Sequence, residues 1–260
     1  METSSILFEQ VGPIARITLN RPRVYNAFNR EMALALQQRL DQCNATPEIR
    51  AVYLTGSGKA FCAGQDLQEV VDPNGPDLTK ILEEHYNPIV LRLRQLPKPV
   101  VCAVNGVAAG AGANIALACD VVVACTSASF IQAFSKIGLI PDSGGTWVLP
   151  RLIGWQRASA LMMLADRVGA EEACRMGMIY KVFDDETFAE NAWALAEQLA
   201  HMPTQALAWT KQLLQASAHQ TLKDQLLMEQ ELQTAAGQTY DYKEGVRAFL
   251  EKRKPTFKGQ

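Results

Sequence analysis

The chain has 260 residues, of which 48% are hydrophobic and 20% are charged, and its formal net charge is -2. That length can bury the core of one large domain, while the near-neutral charge excludes the basic surface of a nucleic-acid-binding protein and a polybasic membrane anchor. No apolar run reaches the roughly 20 residues of a membrane span, and the first residues do not resemble a secretory leader. We therefore expect a cytoplasmic protein with no nucleic-acid or membrane partner.

The cysteines and histidines show no metal-ligand spacing. The six cysteines form no CxxC pair, and several lie inside apolar runs, which favours buried thiols over disulfides. The three histidines, His85, His201 and His219, are scattered and lie outside motifs such as HExxH. We therefore predict no metal site.

The first third of the chain alternates strand and helix signals. Alternating apolar residues on either side of Gly12-Pro13 predict a hairpin over residues 6–19. Asn29 precedes apolar residues on helical spacing, which predicts a helix through Leu40 with Asn29 as its N-cap. A buried strand is predicted at residues 51–55, and residues 72–77 have the strongest loop composition of the chain.

The remaining segments predict an α/β layer architecture. A helical pattern covers residues 78–96, and buried strands are predicted at residues 100–104 and 121–125, with a Gly/Ala-rich turn and helix between them. Helical periodicity then runs from Thr187 to the end of the chain, with a break at residues 202–204.

Two glycine-containing segments resemble phosphate-binding loops but lack essential residues. The Gly58-Lys59 pair is followed by Ala60 instead of Ser or Thr, and Ile115 stands where a dinucleotide fingerprint has its third glycine. Small residues at 63–64 and 110–112 nevertheless leave backbone N–H groups accessible, and two such donors can stabilise one oxyanion. Close packing of a helix explains the same small residues equally well.

The sequence Pro141-Asp142-Ser143-Gly144-Gly145 raises a similar choice. These residues predict a turn, and Asp142 could cap the helix that follows. Alternatively, a carboxyl group in an apolar pocket has a raised pKa and can exchange a proton with a substrate near neutral pH. Taken alone, the pentapeptide favours the cap, and the choice depends on the rest of the chain.

Four blocks, in this order, resemble the crotonase (enoyl-CoA hydratase/isomerase) superfamily: LNRPRVYNAFN, GSGKAFCAGQDL, PKPVVCAVNGVAAGAGANIALACD and GLIPDSGGTWVLPRLIG. The resemblance implies an α/β spiral of repeated ββα units over residues 1–200 and a helical trimerisation region over residues 201–260. It also implies an acyl-CoA thioester substrate, no cofactor besides the coenzyme A of the substrate, and a homotrimer or a dimer of trimers.

The resemblance also assigns catalytic positions. The oxyanion donors would be the backbone N–H groups of Ala63 and Ala111. Hydratases of the family carry two glutamates where this chain has Asn114 and Phe134, and neither side chain can exchange a proton. Isomerases of the family carry their acid at the position of Asp142. The resemblance therefore predicts an isomerase, with a hydratase and a non-catalytic binding protein as alternatives.

Further positions match the substrate-binding stretches of the family. They are Arg23, Val24, Gln65, Asp66, Leu67, Gly110, Phe130 and Phe134. Either phenylalanine could face an aromatic acyl group, although core packing explains both as well. Asp66 could instead have a structural role. Phe257 and Lys258 could reach the coenzyme A of a neighbouring subunit, or they could be solvated residues of the tail.

Overall fold

The computed structural model describes residues 4–260, which form two β-sheets and a series of helices. The strands are β1 (Ile6–Val11), β2 (Ile14–Leu19), β3 (Ala51–Gly56), β4 (Ala60–Cys62), β5 (Val100–Val104), β6 (Val107–Ala109), β7 (Val121–Cys125), β8 (Ser129–Ile131), β9 (Arg167–Gly169) and β10 (Lys181–Phe183).

The helices extend from the beginning of the core to the carboxyl-terminal region. They are α1 (Arg30–Ala45), α2 (Leu67–Val71), α3 (Leu78–Lys80), α4 (Asn87–Gln95), α5 (Ala111–Leu117), α6 (Gly145–Ile153), α7 (Trp155–Leu164), α8 (Ala170–Arg175), α9 (Phe188–Ala200), α10 (Thr204–Ala216), α11 (Leu222–Ala236) and α12 (Tyr240–Leu250). Short 3-10 turns occupy Pro22–Val24 and Ala133–Ile137.

The strands wind into a spiral because, from β3 to β8, consecutive strands alternate between the two sheets. One sheet has the order β1-β2-β3-β5-β7-β10 and the other has the order β4-β6-β8-β9. The first strand of each repeat, β3, β5 and β7, joins the larger sheet in parallel, and the second, β4, β6 and β8, joins the smaller sheet in parallel. The predicted spiral of ββα units is therefore confirmed.

The early elements also agree with the sequence predictions. The β1–β2 hairpin pairs Ile6 with Leu19 in antiparallel register. The Asn29 side chain accepts a 3.0 Å hydrogen bond from the N–H of Met32 and caps α1, which continues five residues beyond Leu40 to Ala45. The extension is stabilised by buried Lys98, whose ammonium group donates to the carbonyl oxygens of Cys43 and Thr46 at the end of the helix.

The helix predicted over residues 78–96 contains a π-helical turn, Ile81–Tyr86, between α3 and α4. A π turn accommodates one extra residue and shifts the side chains that follow it around the helix axis. As a result, two adjacent residues, His85 and Tyr86, are both buried. Apolar spacing predicts the helix but not this local change in its winding.

The carboxyl-terminal region is helical, with the predicted break after α9, but the helices end at Leu250 and residues 251–260 form a tail. Continuous helix to the last residue was therefore a wrong prediction. The tail is held by two buried carboxylates of α12: Asp241 accepts from the N–H groups of Lys258 and Gly259, and Glu244 accepts from the N–H of Thr256. Within residues 4–260, no helix is long and apolar enough to cross a membrane.

A close contact between β4 and α5 orders the centre of the molecule. A Cβ atom added to Gly112 would lie 2.6 Å from the carbonyl oxygen of Cys62 and 2.6 Å from its Sγ. Because Cys62 is fully buried, neither group can move into solvent. Only glycine therefore allows the first turn of α5 to lie against the end of β4.

We expect Gly112→Ala to separate α5 from β4 and to lower the free energy of unfolding by about 1–3 kcal/mol, the usual cost of overpacking a core. Thermal or denaturant unfolding measures the effect. Gly237→Ala is the control, since its φ of -61° is ordinary and its added Cβ would make only van der Waals contacts at 3.4 Å or more. Equal stability of the two variants would contradict the packing constraint.

Candidate active site

The backbone N–H of Ala63, predicted as an oxyanion donor, is already engaged: it donates to the carbonyl oxygen of Tyr25 at 3.0 Å. Gln65, two residues further along the chain, has a different environment. Gln65 forms an isolated parallel bridge with Phe28, in which Phe28 donates to Gly64 and Asp66 donates to Phe28. In such a bridge the N–H of the central residue points away from the partner strand. Within residues 4–260, the N–H of Gln65 has no acceptor. The available donor in the structure is therefore the N–H of Gln65 and not that of the predicted residue, Ala63.

The N–H of Ala111 lies beside this segment. Ala111 is the first residue of α5, so its N–H has no acceptor within the helix. A Cβ atom added to Gly64, whose φ is +93°, would lie 3.5 Å from the Ala111 nitrogen. The predicted residue Gly110 does not contribute a third donor, because its N–H donates to Ile131 at 2.9 Å.

Asp142 is half-buried and does not cap a helix. The N-cap of α6 is Gly144, and no side chain donates to or accepts from that helix end. The Asp142 carboxylate instead accepts a 2.8 Å hydrogen bond from the Ser143 hydroxyl. Burial raises the pKa of Asp142 above the usual range of an aspartate, and the Ser143 hydrogen bond only partly opposes this shift. The capping interpretation is therefore excluded.

The segment that carries Asp142 contacts α5 through Asn114. The Asn114 carboxamide is fully buried; its Nδ2 donates to the backbone carbonyl of Asp142 at 2.9 Å, and its Oδ1 accepts from Gln132 at 2.8 Å. This contact brings Asp142 to the first turn of α5, whose first residue is Ala111. The turn that carries Asp142 is thus held against α5, the helix that begins at Ala111.

Tyr86, which the sequence did not single out, belongs to the same region. Its hydroxyl donates to Gln65 Oε1 at 2.7 Å, and Gln65 Nε2 donates to Glu69 at 2.9 Å. Burial raises the pKa of Tyr86 well above 10, and the nearby carboxylates, including that of Asp142, add to the shift. Tyr86 therefore remains a neutral hydrogen-bond donor, and the Gln65 side chain is turned inward instead of toward a ligand at the surface.

Of the remaining predicted substrate-binding residues, three are exposed and Asp66 is engaged by other residues. Arg23 and Val24, in the 3-10 turn Pro22–Val24, and Leu67, the first residue of α2, are exposed, so that a ligand could reach them. The Asp66 carboxylate is engaged within the protein, because one oxygen pairs with Arg21 at 2.8 Å and the other caps α2.

The two predicted phenylalanines have different surroundings. Phe130 belongs to the buried core of β8. Phe134 lies against the start of α5, where its ring is 3.8 Å from the Cβ position of Gly110. Of the two, only Phe134 lies beside the free N–H of Ala111. Within residues 4–260, no group of three His, Cys, Asp or Glu side chains could hold a metal ion.

These features define a member of the crotonase class: a ββα spiral with two free N–H groups, and a half-buried carboxyl group on a turn attached to the helix that carries one of them. The chain belongs to the enoyl-CoA hydratase/isomerase family, whose model matches residues 9–260.

Among its relatives is the 1,2-epoxyphenylacetyl-CoA isomerase of Escherichia coli K12, which is 52% identical over 250 residues that cover 95% of each chain. A probable enoyl-CoA hydratase of Rhodobacter capsulatus is 47% identical over the full length of both chains. The crystal structure of an enoyl-CoA hydratase from Bacillus anthracis matches with a TM-score of 0.91 and 34% identity, covering 98% of this chain and all of that one.

The raised pKa of Asp142 predicts a pH-dependent cost in stability. A carboxyl group that binds its proton more tightly in the folded chain makes the free energy of unfolding fall as the pH rises through its folded pKa. We therefore expect Asp142→Asn to unfold at a higher temperature than the wild type at pH 7, and the gain to shrink toward pH 4. The control Asp66→Asn, which loses the ion pair with Arg21, gains nothing at pH 7. A destabilised Asp142→Asn protein at pH 7 would contradict the assignment.

Proposed function

We propose that this protein is an acyl-CoA isomerase in which Asp142 transfers the proton and the N–H groups of Gln65 and Ala111 bind the thioester oxygen. The observation that carries the proposal is the Asp142 carboxyl group, which is desolvated, caps no helix, and lies on the segment that Asn114 joins to α5. A carboxyl group with a raised pKa is a more effective base at neutral pH than an ordinary aspartate.

The proposed reaction needs no co-reactant. Asp142 removes a proton next to the thioester carbonyl, and the electron pair moves onto the thioester oxygen, which becomes enolate-like. Two N–H donors stabilise that developing charge better than they stabilise the neutral carbonyl of the substrate. The protonated Asp142 then returns the same proton to another carbon, so that substrate and product have the same composition.

The surroundings of Asp142 favour isomerisation over hydration. Hydration requires a group that accepts a proton from water, and family members with two glutamates have such groups. Here Asn114 has its donor engaged by Asp142 and its acceptor engaged by Gln132, and Phe134 is apolar. Neither side chain can activate a water molecule.

We further propose that the acyl group is aromatic and that the reaction converts 1,2-epoxyphenylacetyl-CoA into an oxepin, with Δ3,Δ2-enoyl-CoA isomerisation as a related activity. In the ring expansion, the carbon–carbon bond shared by the epoxide and the six-membered ring breaks and its electron pair joins the double bonds of the seven-membered ring, while Asp142 moves one proton from the carbon next to the thioester to a ring carbon. Support comes from the E. coli isomerase, with which this chain shares 52% identity. Phe134, whose ring lies beside the start of α5, supplies an aromatic side chain next to the proposed thioester site.

Exposed apolar residues support a closed homo-oligomer, either a trimer or a dimer of trimers, as part of the proposal. Leu222, Leu226 and Leu227 of α11 are more than half exposed, as are Phe249 and Leu250 at the end of α12. A groove of about 710 Å³ lies between α10, α11, α12 and the tail, and apolar side chains line it. A second copy of the chain would cover such surfaces.

A substrate panel tests the proposed function. We expect the purified protein to convert a 3-enoyl-CoA into the conjugated 2-enoyl-CoA and to consume 1,2-epoxyphenylacetyl-CoA with no change in mass, while crotonyl-CoA gains no water. Chromatography with mass spectrometry distinguishes these products. Faster hydration of crotonyl-CoA than isomerisation of either other substrate would favour a hydratase, and no turnover with any of the three would favour a binding protein.

Asp142→Asn tests the proposed base directly. The amide retains the shape of the side chain but cannot take up the proton, so kcat should fall about 10²–10⁴-fold with KM little changed. Steady-state kinetics with the best substrate of the panel measures the effect. Asp224→Asn, which changes an exposed acid in the first turn of α11, is the matched control and should keep kcat within about twofold. Near-normal turnover by Asp142→Asn would refute the mechanism.

A further inference from the structure

Asp142 stands at the start of a turn that is unfavourable by itself. The carbonyl of Asp142 accepts from the N–H of Gly145 at 2.9 Å, and the two central residues, Ser143 and Gly144, both have positive φ, +51° and +74°. Glycine adopts such a conformation readily, but a buried serine adopts it only when its surroundings impose it. Some interaction outside the turn must therefore stabilise it.

That interaction is the donation from Asn114. The carbonyl oxygen of Asp142 receives two hydrogen bonds, one from Gly145 within the turn and one from Asn114 Nδ2 on α5. A Cβ atom added to Gly145 would lie 2.3 Å from Asn114 Nδ2, so the carboxamide lies directly against the turn. Gln132 holds the Asn114 carboxamide in place, because it donates to Asn114 Oδ1 and is itself buried.

The Asp142 carboxylate is less constrained than its backbone. Within residues 4–260, its one side-chain partner is the adjacent Ser143 hydroxyl, which belongs to the same turn. The direction of the carboxylate therefore depends on the conformation of the turn, and the turn depends on its attachment to α5. A carboxylate that abstracts a proton must be placed to within a fraction of an ångström.

From these contacts we infer that Asn114, supported by Gln132, is a positioning residue that holds the Asp142 turn against α5 and so directs the Asp142 carboxylate toward the thioester held at Ala111. This inference rests on the proposed function and adds a role for the position at which hydratases of the family carry a glutamate. Asn114 exchanges no proton and touches no reacting atom; it acts through the backbone of Asp142.

Asn114→Asp tests the inference, because the ionised carboxylate keeps the size of the side chain and can still accept from Gln132 but cannot donate to the Asp142 carbonyl. Asn114→Leu, which has a similar size and no donor in any protonation state, is measured beside it, because burial favours a protonated aspartate that could still donate. We expect kcat for the best panel substrate to fall at least tenfold, with KM changed by less than about threefold. Asn105→Asp is the matched control: Asn105 also donates to a backbone carbonyl, that of Gly58, and accepts from a backbone N–H, that of Gly56. Its kcat should stay within about twofold. A loss of kcat in Asn105→Asp equal to that in the Asn114 variants would overturn the inference.

A double-mutant cycle separates a positioning role from general destabilisation. If Asn114 acts through Asp142, then Asn114→Asp should lower kcat no further in the Asp142→Asn background, whereas independent effects would multiply. Multiplied losses would overturn the inference. Gln132→Met, which keeps the Asn114 donor and removes its support, provides a milder test: it should lower kcat about threefold or more, and unchanged kcat would count against the support by Gln132.

Amide hydrogen exchange provides a readout that does not need turnover. In folded Asn114→Asp, the N–H of Gly145 should exchange at least tenfold faster than in the wild type, because the turn that it closes is no longer attached to α5. Unchanged exchange would overturn the inference even if the wild type isomerised none of the panel substrates. Failure of the wild type to isomerise any panel substrate would instead refute the proposed function, so the two failures are distinguishable.

Discussion

The direct contact between β4 and α5 is the constraint on which the candidate site depends. Gly112 lies against Cys62 with no room for a side chain, and Gly64 lies on the other side of the same contact, next to the carbonyl of Ala109. Because β4 and β6 are parallel neighbours, the chain leaves both strands at the same edge of the smaller sheet. The free N–H groups of Gln65 and Ala111 are brought together by this shared edge.

The same edge supplies the third part of the site. The next parallel strand, β8, ends at Ile131, so Gln132 and Phe134 emerge beside α5 as well. Gln132 then contacts Asn114, and Phe134 lies against Gly110. Successive turns of the spiral thus contribute the free N–H groups of Gln65 and Ala111, the carboxamide of Asn114 and the apolar ring of Phe134. The proposed base, Asp142, lies on the turn before α6, outside the repeats, and Asn114 attaches that turn to α5.

The elements that could be predicted from the sequence are those fixed by local signals. The hairpin, the Asn29 cap, the buried strands and the break near Pro203 each follow from residues close together in the chain. Asp142 could be recognised as a candidate base, but only the surroundings of its side chain distinguish a base from a cap.

Features that depend on the direction of individual hydrogen bonds could not be predicted from the sequence. Ala63 and Gln65 are two residues apart, and only the bridge to Phe28 shows which N–H is free. Tyr86 reaches Gln65 because a π turn changes the winding of its helix, and apolar spacing does not reveal a π turn. Helix α12 ends before the last residues because the side chains of Asp241 and Glu244 accept hydrogen bonds from backbone N–H groups of the tail. These bonds require the tail to fold back on α12.

The proposed chemistry explains why an unfavourable arrangement is retained at Asp142. A desolvated carboxyl group and a serine with positive φ each lower the stability of the fold, and a solvated aspartate in an ordinary turn would avoid both costs. A solvated aspartate would also be a weaker base and would be free to change direction. The resemblance to the family places a glutamate of the hydratases at the position of Asn114 on α5. Here that position carries an amide, which donates to the neighbouring turn, and the proposed base lies on that turn. On the proposed assignment, the change of reaction therefore leaves the oxyanion donors in place and changes the acid and its attachment to α5.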